Sequence, residues 1–331
     1  MSRFPSPLGR AAVLLAALLG AAPATAEEEL LPDVAVAPPR VAPITAIAIK
    51  SREIRLSPTL QRTTTTFVND TAAEVATLVA MSLPRLDAAT AGLDGLVRGA
   101  PGAADFIGVR VAVDGKPVEP RADVRASVLG LDVTDRLKAD GVPLDPWTTP
   151  RIDEILAKLP ADKRPFYVAH GLAQWFEGGP GAFGWDVATT LHWIQAFPPG
   201  KPVTVVEDHA PLVGTGLVTL ATVDRWAAHP GCLDKASEAA LRKALAAGRP
   251  AGADPGTSTA LMQRRVRLAL GPDTVGAFRL VVEKPKPETL VIACWPAEPK
   301  KPTAEAVVVE ASNFTATADL DVVFVDPPAQ K

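Results

Sequence analysis

The chain has 331 residues, of which 47% are hydrophobic and 21% charged, and its formal charge is −3 at neutral pH. That balance describes a globular protein with a sizeable core. No basic patch stands out, which argues against nucleic acid as a partner.

The first 26 residues read as a secretory signal peptide. Arg3 and Arg10 make a positive start, Ala11 to Ala22 an apolar run, and Ala24-Thr25-Ala26 a small-residue cleavage site. The apolar run, about twelve residues, is too short to span a bilayer of roughly 30 Å. No later stretch approaches the length of a membrane span, so no transmembrane anchor is expected. No cysteine follows the cleavage site, which argues against a lipid anchor there, and no Arg-Arg pair precedes the apolar run, which favours the general secretory route. Removing 26 residues from 331 leaves 305. It also removes two of the 34 basic residues and none of the 37 acidic ones, taking the formal charge from −3 to −5.

Residues 27–43 are acidic and then Pro-rich, and read as a flexible lead-in. After them the pattern turns to period two. Glu53-Ile54-Arg55-Leu56 alternates charged with apolar, Leu60 to Val68 is rich in Thr, Glu74 to Leu83 is more apolar, and Phe106 to Val113 alternates again. Asp114-Gly115 is a hairpin signal. The 33 prolines sit between these runs rather than inside them, as expected of strands joined by turns.

Val133, Leu137 and Val142 predict a short helix capped by Asp132 or Thr134. Pro150 opens a clearer one through Ile152, Ile155, Leu156 and Leu159, and Phe166 to Phe176 is read as another helical piece. Gly178 to Gly184 is read as a flexible loop and marks a boundary. Trp185 to Phe197 is the strongest strand, with Trp185, Val187, Thr189, Leu191, Trp193, Gln195 and Phe197 on one face. Pro198-Pro199-Gly200 and Val203 to Val206 are read as completing a hairpin. Leu233 to Ala247 is helical and stopped by Gly248. Arg265 to Leu270, Phe278 to Val282, Leu290 to Trp295, Val307 to Val309 and Leu320 to Val325 are the closing strands.

Candidate chemistry is sparse. His170, His192, His209 and His229 form no His pair at metal-binding spacing, so no metal site and no cofactor are expected. Glu207-Asp208-His209 is the one dense ionisable cluster; a solvated strand exit is the favoured reading, with an acid–base or metal site as the functional one. No Gly-x-Ser-x-Gly, phosphate loop or dinucleotide fingerprint is present, and no catalytic residue is assigned. The Trp185/Trp193 stripe reads as core, with a sugar-stacking platform as the alternative. Asn69-Asp70-Thr71 and Asn313-Phe314-Thr315 match a glycosylation pattern that carries little weight behind an Ala-rich, bacterial-looking leader. Cys232 and Cys294, an isolated pair in an oxidising compartment, are expected to form a disulfide, with Cys294 pointing into the core beside Leu290 and Ile292.

Several segments together resemble the bacterial family known as domain of unknown function 4424. They are Glu53 to Pro58, Phe67 to Asp70, Val79 to Pro84, Val113 to Val118, Gly130 to Thr134, Gly141 to Leu144, Trp185, Thr189 to Pro198, Cys232 to Asp234, Gly276 to Leu280, Cys294 and Asn313 to Thr315. Met81-Ser82 replaces a Phe-Pro-like pair, the lead-in differs, and Leu270-Gly271-Pro272 lacks a Trp found in that region. The resemblance implies an extracytoplasmic, β-rich bacterial protein and carries no catalytic residues.

The expected architecture is mainly β, with two sandwich-like β units and helical insertions: an N-terminal unit over 44–146, a helical connector over 147–180, and a C-terminal unit over 181–331 with one helix. The expected function is that of a non-enzymatic periplasmic or secreted binding or envelope-associated module, with ligand residues unassigned and an envelope or carbohydrate partner. The alternative is a periplasmic hydrolase or carbohydrate-active enzyme using carboxylates such as Glu207 and Asp208, with Trp185 or Trp193 stacking the sugar. Export itself is directly testable: the intact mass of protein from the periplasmic or culture fraction should correspond to a chain starting at Glu27, and retention of residues 1–26 would overturn the leader assignment.

Overall fold

A computed structural model describes residues 35–43, 46–87, 104–145, 152–229, 231–247, 259–295 and 303–326. The proposed leader lies outside the described residues. The protein is mainly β and is organised around one seven-stranded sheet. Its strand order is β17 (Ala306–Phe314), β15 (Val275–Glu283), β2 (Ile47–Leu56), β3 (Gln61–Asn69), β12 (Pro202–His209), β5 (Arg110–Val113) and β6 (Lys116–Val118). Neighbours are antiparallel except β15 and β2, which run parallel. Asp114 and Gly115 both take positive φ, 48° and 76°, in the tight turn that their sequence signals.

Two further sheets pack on one face of this sheet. The first has the order β1 (Arg40–Val41), β4 (Val75–Ser82), β11 (Asp186–Phe197), β7 (Arg121–Val128) and β8 (Leu131–Asp132). Val79, Met81, Leu191, Trp193 and Phe197 from it meet Phe67, Val111, Val203 and Val205 of the large sheet. The second has the order β13 (Val213–Val218), β14 (Leu261–Leu268), β18 (Leu320–Val325) and β16 (Leu290–Ala293). Its Val266, Leu268, Val322 and Phe324 pack on Ile54, Leu56, Phe278 and Leu280. Two sandwiches therefore share one central sheet. The far side of the second overlying sheet is covered by α4 (Leu220–Ala228) and α5 (Lys235–Ala247), through Val223, Leu241 and Leu245. This explains why β18 is apolar at nearly every position: it is buried on both faces.

The shared sheet also means that the strands read as N- and C-terminal units are interleaved. β11 and β12 complete sheets built from β3, β4, β5 and β7, and β15 pairs with β2. Several local expectations change for physical reasons. β11 and β12 do not form a hairpin but lie in facing sheets. Pro198 and Pro199 cannot donate to a continuing ladder, and the buried Asn69 amide holds this corner by donating to the carbonyls of Phe197 (2.8 Å) and Ala73 (2.7 Å). The Phe166–Phe176 segment divides into α3 (Arg164–Ala169) and β9 (Ala173–Phe176) at Gly171, whose φ is +65°. The Gly-rich segment is not a loop but β10 (Gly179–Phe183), turned back on β9 by positive φ at Gly178 and Gly179. Residues 35–43 of the lead-in are packed, with Val36 in the first core and Arg40 and Val41 paired to β4. Two short helices, α1 (Thr134–Ala139) and α2 (Ile152–Ala157), fall where the spacing places them, but the N-cap of α1 is Val133, with no side-chain cap, rather than Asp132 or Thr134. α4 carries a Thr219/Thr222 capping box that the apolar periodicity did not bring out.

The row of β11 side chains is core. Trp193 is 8% exposed, and its indole N–H makes no hydrogen bond among the described residues, so its contribution is apolar packing. Trp193→Ala should therefore cost about 3–5 kcal/mol in urea unfolding. A loss below about 0.5 kcal/mol, within the range of an ordinary surface change, would overturn this assignment.

Candidate functional site

The ionisable cluster singled out in the sequence lies on β12, where alternation separates its members. Asp208 faces outward and is gripped by Arg62 through two contacts of 2.6 and 2.8 Å, which hold its carboxyl below the usual range. Glu207 and His209 face inward and are buried, so the expected solvated strand exit does not form. Glu207 is completely buried, and neither carboxyl oxygen has a hydrogen-bond partner among the described residues. Burial pushes its pKa from 4.5 up to about 8, with the Thr63 hydroxyl and the Arg52 charge opposing part of the shift.

Arg52 belongs to the same inward face. Its guanidinium is 1% exposed and donates to Thr65 Oγ1 (3.3 Å), the Leu270 carbonyl (3.0 Å) and the Pro39 carbonyl (3.4 Å). Gln61, Thr63, Thr65, Glu207 and His209 continue a buried polar seam across β3 and β12. The signal for Arg52 was available: it lies two residues before Ile54 and four before Leu56, on their face of the strand.

The remaining sequence candidates are dispersed. Trp185 is fully buried and donates its indole N–H to the Leu144 carbonyl at 2.6 Å. His192 is half-buried on the opposite side of β11 from Trp193. His170 stacks on Phe166 with ring centres 3.9 Å apart. Asn69 is buried at the corner described above, while Asn313 has φ of 49° on β17.

Tertiary structure does assemble one group that linear spacing missed. Cys232 and Cys294 come within disulfide-bonding distance, with Cα atoms 3.7 Å apart, and His229 Nδ1 lies 3.3 Å from Cys232 Sγ. Cys294 is exposed rather than inward: β16 ends at Ala293, so strand alternation no longer governs the next residue. The backbone is tied together here as well. The Trp295 N–H donates to the Gly231 carbonyl at 3.1 Å, and a Cβ on Gly231 would sit 2.2 Å from the Trp295 carbonyl oxygen. Only glycine permits that approach, and its φ of +78° adds a second reason. His229 precedes Cys232 by three residues, a spacing that a search for His–His pairs alone does not reveal.

His229 and Cys294 form one edge of a cavity of about 620 Å³. Its wall contains Trp295 and Phe314, whose rings stack with centres 5.3 Å apart, and Phe278 behind them anchors both to the second core. The connection between β17 and β18 adds Thr315, Thr317 and Asp319 to the lining. Asp319 also lies 3.8 Å from Arg267. The cavity thus pairs an apolar wall with a polar rim.

These features define a mainly β protein of two sandwiches sharing a sheet, with an aromatic-walled cavity at one end. The family model described as Domain of unknown function (DUF4424) matches residues 33–323, and the chain belongs to that family. No curated protein matches the chain. Among solved structures, it is similar to a candidate nutrient-binding protein from Legionella pneumophila subsp. pneumophila str. Philadelphia 1, at 14% identity and a TM-score of 0.42, over 88% of this chain and 71% of that one. A second similarity is to an M1 zinc metallopeptidase from Deinococcus radiodurans, at 8% identity and a TM-score of 0.22, over 90% of this chain and 45% of the other. Neither likeness transfers site residues.

The buried carboxyl makes a signed prediction. Folding raises the Glu207 pKa, so the folded state holds a proton that the unfolded state has lost. Stability is then fully present below about pH 4.5 and falls as pH rises toward about 8. The slope contributed by one such group is about 1.4 kcal/mol per pH unit in that window. Glu207→Gln should remove this slope in urea unfolding at a series of pH values; an unchanged slope would show that Glu207 is ionised in the fold.

Proposed function

We propose that the protein is an exported, non-enzymatic binding module of the periplasm or cell exterior, and that the cavity beside Trp295 and Phe314 receives a carbohydrate. Export is supported by the leader-like first 26 residues and by a cysteine pair placed at bonding distance. No helix among the described residues is long and apolar enough to cross a membrane.

The observation that carries the binding assignment is the composition of the cavity. Its volume of about 620 Å³ falls in the range of small-molecule sites. A sugar ring has an apolar C–H face suited to Phe314, the partly exposed ring of the wall, which rests on the buried Trp295. Its hydroxyl groups suit Thr315, Thr317 and the Asp319 carboxylate, an arrangement of the kind in which a few polar groups orient a ligand on an apolar wall. The aromatic wall is stiff because Phe278 stacks behind it within the core. A hydrolase built on Glu207 and Asp208 is disfavoured, because the two carboxyls point to opposite faces of the sheet and Asp208 is already engaged by Arg62.

Calorimetric titration of the mature, oxidised protein against neutral and amino-sugar oligosaccharides tests this assignment. One class should bind at a single site. Phe314→Ala and Asp319→Asn should each weaken it about tenfold or more, the loss expected for a stacking contact or a charge-assisted hydrogen bond. Absence of binding across the panel, or equal affinity in both variants, would overturn it.

A further inference from the structure

The sulfur-rich corner of the cavity supports an assignment independent of the carbohydrate. We propose that, once reduced, Cys232 and Cys294 join His229 in a Zn²⁺ site whose fourth position opens into the cavity. The donor set is already gathered: His229 Nδ1 or Nε2, Cys232 Sγ and Cys294 Sγ all lie within 4.8 Å of one another. Two thiolates and an imidazole suit a borderline-soft divalent ion, and three protein ligands leave the fourth tetrahedral position to water or a ligand. His229 and Cys294 both line the cavity, so that position faces open space rather than protein.

Two features make the pair more than a structural staple. First, it is reachable. Cys294 is exposed, so an incoming thiolate can attack its sulfur, and the His229 imidazole beside Cys232 stabilises the departing Cys232 thiolate. The exchange balances: a dithiol reductant becomes a disulfide, the Cys232–Cys294 bond breaks, and both sulfurs end as thiols. Binding Zn²⁺ then releases the two thiol protons, while neutral His229 contributes a nitrogen lone pair.

Second, the donors stay together without the sulfur–sulfur bond. The Trp295 N–H to Gly231 carbonyl hydrogen bond and the Cβ-free approach of Gly231 hold the two backbones in contact. The Cys232 N–H also donates to the His229 carbonyl at 3.3 Å, fixing the short segment that carries two of the donors. Opening the sulfurs to about 3.8 Å, the spacing across a tetrahedral zinc, asks for side-chain rotation rather than movement of the chain.

The test uses the full mature protein, reduced anaerobically with a phosphine that is then removed, and titrated with Co²⁺ as a spectroscopic substitute for Zn²⁺. One equivalent should bind, with a thiolate-to-cobalt charge-transfer band and four-coordinate d–d bands, and Zn²⁺ should displace it. Oxidised protein should show neither band. Cys294→Ser should diminish the charge-transfer band. His229→Gln, which keeps both cysteines and the disulfide, should weaken Co²⁺ about tenfold or more. Undiminished binding by His229→Gln or the absence of a one-to-one complex would overturn the site. So would loss of the near-ultraviolet circular dichroism on reduction, because the disulfide would then be needed for folding. Carbohydrate binding is read on oxidised protein, so the two assignments fail separately.

Discussion

The buried Arg52 guanidinium is the interaction on which the layered architecture depends. One face of the central sheet carries two sandwiches, and where they meet, chain segments from both overlying sheets come down onto it. Pro39, just before β1, and Leu270, just after β14, present carbonyl oxygens at that junction. Arg52 supplies a donor to each and a third to Thr65 within its own sheet. Removing an arginine from water costs several kcal/mol unless its donors are met, and burial does lower its pKa. The nearby charge of Asp273 acts in the opposite sense. The junction strains any side chain at residue 271, chiefly through the backbone. Gly271 has φ of +72°, and a Cβ there would lie 3.1 Å from Pro38 Cγ and 3.6 Å from Arg52 Nη1.

This arrangement also accounts for the unusual state of Glu207. Arg52 directs its donors to two backbone carbonyls and a threonine, so its attraction for Glu207 acts through space without a hydrogen bond. Attraction of that kind only partly offsets complete burial, and the carboxyl's pKa is pushed up to about 8. The outer face of the same sheet follows the opposite logic. There Arg279 meets Glu53 and Glu310, Arg55 meets Glu283, and Arg62 meets Asp208, each at least partly in contact with water. Such pairs add little individually, but they place complementary charges on neighbouring strands and so reinforce one register over its alternatives.

The sequence disclosed those features that depend on local periodicity. Alternation marks β2, β5 and β11, a Thr-rich β-branched run marks β3, and Asp114-Gly115 marks its turn. It could not disclose which strands pair, because β2 finds β15 more than two hundred residues away and β11 turns away from β12 at a proline corner. The Trp193 face read correctly as core because most of its alternate residues are large and apolar. Glu207 read as a solvated strand end because its burial comes from the overlying layers, not from its neighbours in sequence. The cavity was the least legible part. Its rings come from β17 and the second residue after the end of β16, with Phe278 of β15 packed against both, and its sulfur and imidazole groups from two segments more than sixty residues apart.

The position of that cavity follows from the way the second sandwich ends. β16 is a four-residue edge strand paired only with β18 among the described residues. A short edge strand offers little ladder to hold the chain that leaves it. The Cys232–Cys294 contact and the Gly231–Trp295 hydrogen bond secure that exit to the segment entering α5, while Trp295 turns inward to stack on Phe278. The same fastening that closes the sandwich therefore places an exposed sulfur and an imidazole at the edge of an aromatic wall. Asp319 lines the same cavity because it lies in the connection leading into β18, the strand to which β16 is paired. Both rims are set by their connections to β18. A ligand that contacts Asp319 together with Cys294 or His229 is thus held between segments joined through β18, a strand buried on both faces.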